Sequence, residues 1–252
     1  MGDEEGKYEL SRLIFRPFSI IYFLMILFWT ILLLPFFFLM GRVFMRFLGL
    51  SPFFTFAVFM FSLFGSHINI PIMEIVSTEP VLAVRQVTFF GVSWFVPEFD
   101  VRKRKTIVAV NVGGAIVPLL VSIYLLAFTV PSQEQNLFIA YAKIFLALIV
   151  MTVIVHAVAR PIRGLGIATP AFLPPFITAL TSLALYSLYV PTNPFVIAYV
   201  SGTLGTLIGA DILNLDKVSK LGAPLVSIGG AGTFDGIYLT GLMSVFLVLI
   251  LI

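Results

Sequence analysis

The sequence predicts an all-α polytopic membrane protein with about seven transmembrane helices, some of them broken or re-entrant, and a small cytoplasmic β-hairpin. Three observations predict this fold class. Hydrophobic residues make up 60% of the 252 residues, charged residues make up only 11%, and the mean hydropathy is +1.11. Such a composition is more apolar than a soluble core requires and is typical of a chain that faces lipid.

Seven apolar segments are long enough, or nearly long enough, to cross the bilayer, which takes about 20 helical residues. They are 18–40, 52–75, 106–128, 137–159, 172–190, 195–215 and 233–252. No internal repeat or separate soluble segment is visible in the sequence. Residues 1–252 are therefore interpreted as a single integral membrane domain.

The distribution of positive charge predicts the orientation. Lys and Arg precede the third segment and separate the fourth from the fifth and the sixth from the seventh, whereas the loops 129–136 and 191–194 carry none. Since positive loops stay in the cytoplasm, the N-terminus is expected inside and the C-terminus outside the cell (inner) membrane. Arg42 and Arg46 depart from this rule, because the arrangement puts them outside.

Residues 77–101 mix polar side chains with β-forming residues between Pro80 and Pro97. This pattern predicts a cytoplasmic β-hairpin with its turn near Gly91. The hairpin is a candidate surface for holding an extended peptide by strand addition.

Glycine and proline interrupt several of the apolar segments, at 65–71, 111–118 and 160–175. Broken backbone at membrane depth persists only where protein or a water cavity satisfies the freed N–H and C=O groups. The sequence therefore predicts a wet interior with Asn69 as a cavity ligand. Asn111 either offers its amide to a cation or caps the third helix.

Two aspartates lie in the last two apolar segments, Asp211 in Ile208-Gly-Ala-Asp and Asp235 in Gly232-Thr-Phe-Asp-Gly. A carboxylate at membrane depth costs ~2.5–3.5 kcal/mol or more, so it is rarely kept without a function. If the last helix begins near Thr233, both side chains reach the same depth near the inner membrane edge.

Glycines predict how the two segments approach. Gly205-xxx-Gly209 and Gly232-xxx-Gly236 are small-xxx-small pairs that allow close helix contact. On an ideal helix, however, Asp211 lies roughly opposite Gly209. Either the two helices do not pack through both glycine pairs, or the turn that carries Asp211 is distorted.

Two carboxyl groups in one apolar site cannot both ionise easily, so one of them keeps a proton. One could then activate water as a general base while the other protonates a carbonyl, which is hydrolysis without metal or cofactor. The alternative is structural: Asp235 caps its helix, and Asp211 pairs with Lys217 or Lys220.

Ile208-Gly-Ala-Asp211 resembles the second catalytic motif of the GxGD-type intramembrane aspartyl proteases, the class of presenilin, signal peptide peptidase and archaeal preflagellin peptidase. Pro170-Ala-Phe-Leu-Pro174 resembles the presenilin Pro-Ala-Leu-Pro element. The resemblance implies that Asp211 and Asp235 are catalytic and cleave a transmembrane peptide near its cytoplasmic end. This chain departs from the pattern in three ways: the proline element precedes both aspartates, the GxGD-like motif lies on the first helix of the pair, and Asp235 follows no tyrosine.

Most of the chain resembles a family of archaeal and bacterial multi-pass membrane proteins, and that resemblance implies no activity. The expected partners are membrane lipid and a transmembrane peptide, with no nucleic acid, because the net charge of +3 lies mostly in short loops. No metal site is expected, since the chain has no cysteine and two histidines. The sequence does not specify an oligomeric state.

The candidate substrate contacts are the small or amide residues of the interrupted segments: Gly209, Gly232, Gly236, Asn214, Asn69 and Asn111. Lys143 is expected to extend outward to the membrane surface. The competing hypothesis is an ion-coupled secondary transporter that uses the same carboxylates and broken helices as its binding site. A non-catalytic scaffold is the third possibility.

Overall fold

The computed structural model describes residues 14–15, 20–89, 92–162, 166–218 and 223–252. Within these ranges each of the seven predicted segments contains one helix. The helices are α1 (Ile20–Phe47), α2 (Pro52–Gly65), α3 (Val112–Gln133), α4 (Leu137–Val158), α5 (Leu173–Tyr186), α6 (Pro194–Val218) and α7 (Gly236–Leu251).

Three of these helices, α3, α4 and α6, are long and apolar enough to cross a membrane. α2, α5 and α7 are apolar but shorter, with 14, 14 and 16 residues. Large apolar side chains on α2, α3 and α4 point outward, and Phe61, Phe128 and Phe145 are each more than 60% exposed. This apolar surface fits a lipid environment. The prediction of a largely helical chain with membrane-spanning helices agrees with these three helices, whereas the number of seven spans stays a prediction.

Side-chain caps explain where several helices begin. Ser51, Asn136 and Asn193 each accept a hydrogen bond from a backbone N–H of the first turn of α2, α4 and α6. Pro52 and Pro194 follow two of these caps. Proline at the first helical position loses no hydrogen bond, so the local sequence is sufficient to start these helices.

The strands are β1 (Ile14–Phe15), β2 (Ile68–Phe89), β3 (Val92–Asn111), β4 (Arg160–Ile162), β5 (Gly166–Ala168) and β6 (Leu225–Ile228). The main sheet has the order β1-β2-β3-β6. β2 and β3 are antiparallel, and β3 and β6 are parallel. β4 and β5 form a separate antiparallel pair.

The hairpin is much longer than the predicted 77–101. β2 and β3 pair from Asn69↔Asn111 to Phe89↔Val92, so the hairpin takes over the end of the second predicted span and the start of the third. The assignment was wrong there because a short, almost continuously apolar run can be either a strand or part of a membrane helix, and periodicity alone does not separate the two. The predicted turn at Gly91 lies outside the described residues.

α6 is the central helix of the bundle and is buried on almost every side from Pro194 to Thr206. It contacts α4, α5 and α7. A helix that is apolar all round is stable only when other elements surround it. The two predicted aspartates therefore lie on the most enclosed helix and on one of its neighbours.

The prediction that Lys143 extends outward is wrong. Its side chain is 6% exposed, and Nζ donates hydrogen bonds to the carbonyl oxygens of Tyr186 (3.0 Å) and Val190 (2.6 Å). The last carbonyls of a helix have no partner within that helix. Lys143 therefore turns inward because the end of α5 supplies these acceptors.

Candidate functional site

Two parallel strands lead into two helices at the centre of the site. β3 and β6 pair from Ile107↔Leu225 to Val110↔Ile228. α3 begins directly after β3, with Gly113 and Gly114 in its first turn, and a glycine-containing turn joins β6 to α7. Because the strands are parallel, the beginnings of the two helices lie next to each other.

Asp235 is the N-cap residue of α7. Its Oδ1 accepts a hydrogen bond from the Ile237 N–H (3.0 Å), and its Oδ2 accepts one from the Ala231 N–H (3.3 Å). The helix begins at Gly236 after a 3₁₀ turn at Gly232–Phe234, and not near Thr233 as expected. The capping role considered for Asp235 is therefore present, and it fixes the position of the carboxylate.

Asp211 lies in a distorted part of α6. Leu207–Asp211 form a π turn, and a 3₁₀ turn at Ile212–Asn214 follows it. Of the two alternatives that the sequence left open, a distorted Gly-Ala-Asp turn is therefore present. π turns inside α-helices are rare and frequently lie at functional sites.

The negative charge of Asp235 acts on the Asp211 carboxyl group. Their elements also meet, since a Cβ atom placed on Gly236, next to Asp235, would lie 3.7 Å from Thr206 Cγ2 of α6. The C-terminal part of α6 and the beginning of α7 therefore place Asp211 and Asp235 in the same part of the structure.

Gly205 and Gly209 do not face α7. A Cβ atom at Gly205 would lie 2.6 Å from Met151 Cβ, and one at Gly209 would lie 2.5 Å from the carbonyl oxygen of Thr152. Both glycines therefore let α6 approach α4. The ridge is therefore used by α4 and not by α7.

Gly232 and Gly236 do not form a helix ridge either. Gly232 precedes α7, has a positive φ of 65°, and lies against the Ser66 side chain, where a Cβ atom would overlap. Gly236 is the first residue of α7 and adjoins Asp235. Of the three glycines predicted to contact substrate, Gly209 and Gly232 are buried against protein, and Gly236 lies beside the aspartates.

Asn214 is fully buried behind Asp211. Its Nδ2 donates hydrogen bonds to the carbonyl oxygens of Gly209 (3.0 Å) and Ala210 (2.8 Å), and its Oδ1 accepts one from Lys217 Nζ. Lys217 thus binds Asn214, and Lys220 lies outside the described residues. The amide predicted to contact substrate is engaged within the protein.

Asn69 and Asn111 form a buried polar hub with two serines. Asn111 Nδ2 donates to the carbonyl oxygen of Ser66 (2.8 Å) and to Asn69 Oδ1 (3.1 Å), and Ser227 Oγ donates to the same Oδ1 (2.6 Å). Asn111 Oδ1 accepts from the Gly114 N–H (2.8 Å), so Asn111 also caps the beginning of α3. The structure places both asparagines in the joint between the sheet and the helices, one glycine loop away from Asp235.

Two threonines beside the aspartates were not recognised from the sequence. Thr206 Oγ1 is buried and has no hydrogen-bond partner among the described residues. Thr169 Oγ1 lies 3.0 Å from where a Cβ atom of Gly236 would be. Thr169 directly precedes Pro170-Ala-Phe-Leu-Pro174, and this proline element was the only feature of the sequence that pointed to the contact.

In the described ranges, no group of three or more His, Cys, Asp or Glu could hold a metal ion.

Residues 63–247 match the family described as "Protein of unknown function (DUF1614)". The chain belongs to this family. No curated protein and no solved structure matches the chain. The DUF1614 region extends from the end of α2 into α7, so it contains the polar hub, Asp211 and Asp235.

Proposed function

We propose that this DUF1614 protein is an intramembrane aspartyl protease that cleaves a transmembrane peptide near its cytoplasmic end. Asp211 and Asp235 share the catalytic water. The observation that supports the proposal is the approach of two carboxyl groups, from the distorted turn of α6 and the beginning of α7, close enough for their charges to interact.

We assign the catalytic roles of the two carboxyl groups from the hydrogen bonds around them. Both oxygens of Asp235 accept backbone N–H hydrogen bonds at the beginning of α7, where the helix dipole also favours negative charge. Within the described residues, Asp211 receives no such hydrogen bond. Asp235 is therefore the charged partner and general base, and Asp211 carries the proton.

Each step of the hydrolysis then uses one carboxyl group as an acid and the other as a base. Asp235 takes a proton from water while the water oxygen attacks the peptide carbonyl carbon. Asp211 gives its proton to the carbonyl oxygen, which produces a tetrahedral diol. One diol hydroxyl then returns its proton to Asp211 as the carbonyl reforms, the proton on Asp235 moves to the departing nitrogen, and the C–N bond breaks without a covalent enzyme intermediate.

A protease needs its substrate in an extended conformation, and the sheet offers a place for one. β6 is the terminal strand of the sheet among the described residues, and its chain continues through the glycine loop to Asp235. A peptide strand added to this edge would run toward the aspartates. The proximity of Thr169 to Gly236 also brings the proline element 170–174 near the pair.

The experiment uses the full chain in lipid vesicles with a membrane-peptide extract in H₂¹⁸O, and mass spectrometry identifies new peptide termini. We expect wild-type protein to produce ¹⁸O-labelled C-termini within apolar segments, and Asp211→Asn and Asp235→Asn to produce none. Glu74→Gln, which removes a carboxylate of β2, is the matched control and retains cleavage. Identical termini with wild type and both Asn variants, or no new termini with wild type, would reject the proposal.

The competing proposal of ion-coupled transport has one specific observation in its favour. α6 is interrupted by a π turn and a 3₁₀ turn, and a strand and glycine loop precede α7, which resembles the discontinuous helices of transporters. Proton and Na⁺ fluxes measured in the same vesicles discriminate between the two. A flux that depends on Asp211, without new peptide termini, would replace the protease by a transporter.

A further inference from the structure

The two peptide groups that precede Asp211 direct their carbonyl oxygens at one side chain. Gly209 O and Ala210 O both accept hydrogen bonds from Asn214 Nδ2, at 3.0 and 2.8 Å. Asn214 has no exposed surface, and Lys217 occupies its Oδ1. Each polar atom of this amide therefore has a partner within the protein, so Asn214 acts as a clamp on the turn.

His156 of α4 completes the clamp. Its Nδ1 lies 3.2 Å from Gly209 O and 3.2 Å from Asn214 Nδ2. An amide nitrogen has two hydrogens, and we assign them to the two shorter contacts, with the carbonyl oxygens of Gly209 and Ala210. This assignment gives Nδ1 its own hydrogen, which it donates to Gly209 O.

The clamped turn has a geometric effect on Asp211. The Ile212 N–H is shared between the carbonyl oxygens of Ile208 and Leu207, four and five residues earlier, so the turn is widened toward a π-helix. On a regular α-helix Asp211 would lie about 140° around the axis from Thr206. In a π turn, residues five apart lie on the same face. Thr206 contacts the beginning of α7, so the π turn directs Asp211 toward Asp235.

A π turn is rare because a regular α-helix is normally more stable, so this one needs support. Gly209 holds α6 against α4 at the carbonyl of Thr152, and the amide and imidazole hold the widened turn. We propose that Asn214 and His156 are positioning residues that keep this π turn and thereby direct Asp211 at Asp235. The catalytic value of this geometry rests on the proposed function, whereas the geometry itself can be measured separately.

The absence of cysteine makes a distance measurement simple. In the full chain, Asp211→Cys and Asp235→Cys are combined, and a short bifunctional methanethiosulfonate reagent measures their cross-linking rate. Adding Asn214→Asp keeps the side-chain shape but removes both amide hydrogens. Because two hydrogen bonds are lost, we expect the cross-linking rate to fall by roughly fivefold or more.

The matched control is Asn193→Asp, at the other end of the same helix. Asn193 Nδ2 also donates two hydrogen bonds, to Phe47 O and Gln133 Oε1. This variant should cross-link at the rate of the parent. If Asn214→Asp does not yield folded protein, His156→Phe takes its place and is expected to slow cross-linking, while His156→Gln, which keeps a donor, restores it.

Nitrogen-15 NMR of histidine-labelled protein provides an independent measurement, because the chain has only two histidines. We expect His156 to carry its hydrogen on Nδ1. A hydrogen on Nε2 alone, or an unchanged cross-linking rate in Asn214→Asp, would overturn the inference. A cross-linking rate that falls in Asn214→Asp, in a protein that cleaves no peptide, would reject only the protease. Peptide cleavage together with a cross-linking rate that does not depend on Asn214 would reject only the clamp.

Discussion

The Gly114 backbone lies directly against the carbonyl oxygen of Gly229, so the turn that begins α3 touches the loop that precedes α7. A Cβ atom at Gly114 would overlap this oxygen and would lie 2.7 Å from the carbonyl oxygen of Gly232. Both neighbours are backbone atoms, which cannot rotate away as a side chain can. The close approach of the two turns therefore requires glycine at position 114.

We expect Gly114→Ala to lower the stability of the protein by about 1–3 kcal/mol, because an added methyl group strains a closely packed joint. Gly41→Ala is the control, since its Cβ would meet only Thr55 Cγ2 at 3.9 Å. Thermal denaturation in detergent, followed by circular dichroism, measures the difference. Equal midpoints for the two variants would contradict the prediction.

The Asn69–Asn111 hydrogen bond should be detectable as an energetic coupling. We expect Asn69→Ala, Asn111→Ala and the double variant to show a coupling energy of about 1 kcal/mol. Either substitution alone breaks the hydrogen bond, so the second one costs less stability than it does in the wild-type protein. The control combines Asn69→Ala with Asn136→Ala, which removes the distant cap of α4. The stability losses of these two substitutions should add. Additivity in both cycles would argue against a cooperative hub.

The buried Lys143 should stabilise the end of α5. Lys143→Met keeps the length of the side chain but removes the hydrogen bonds that Nζ donates to the carbonyl oxygens of Tyr186 and Val190, which keep only their bonds from Thr192. A stability loss of about 2 kcal/mol is expected, as for hydrogen bonds to charged groups. Lys105→Met, at an exposed position of β3, should have little effect on the same thermal denaturation. A lysine that extended into solvent would make the two variants equivalent.

Substitutions of Asp235 separate its capping role from its proposed chemistry. Asp235→Ala removes the cap of α7 and should cost about 1 kcal/mol, whereas Asp235→Asn keeps an acceptor and should be nearly as stable as wild type. The protease proposal requires that the stable Asn variant be inactive, because it lacks a titratable carboxyl group. Cleavage by Asp235→Asn at the wild-type rate would leave the cap as the only role of this residue.

The beginnings of the helices were predictable because their signals are local. Ser51-Pro52 and Asn193-Pro194 each bring a capping side chain and a proline to a helix start, and both act within one turn. The joint of β2 and β3 with the helices was not predictable in the same way. The runs 68–75 and 106–111 are apolar enough for helix, and only pairing between them makes them strands.

Chain order predicts that Asp211 and Asp235 lie in the same part of the protein, since they lie near the facing ends of two neighbouring apolar segments. Their geometry did not follow from it. Gly205 and Gly209 have the spacing of a contact ridge, but sequence spacing does not say which neighbour uses the ridge. The structure shows that α4 uses this ridge, whereas Asp211 lies in the π turn that follows it.

The sequence by itself determined the apolar segments, their interruptions and most helix starts, because these depend on interactions within a few residues. Only the tertiary structure decided the inward turn of Lys143, the strand pairing and the π turn behind Asp211. Their partners are far apart in the chain: Asn214 and His156 are separated by 58 residues. A local pattern favours α and π turns, or strand and helix, by too little to choose between them, and contacts between distant segments make the choice.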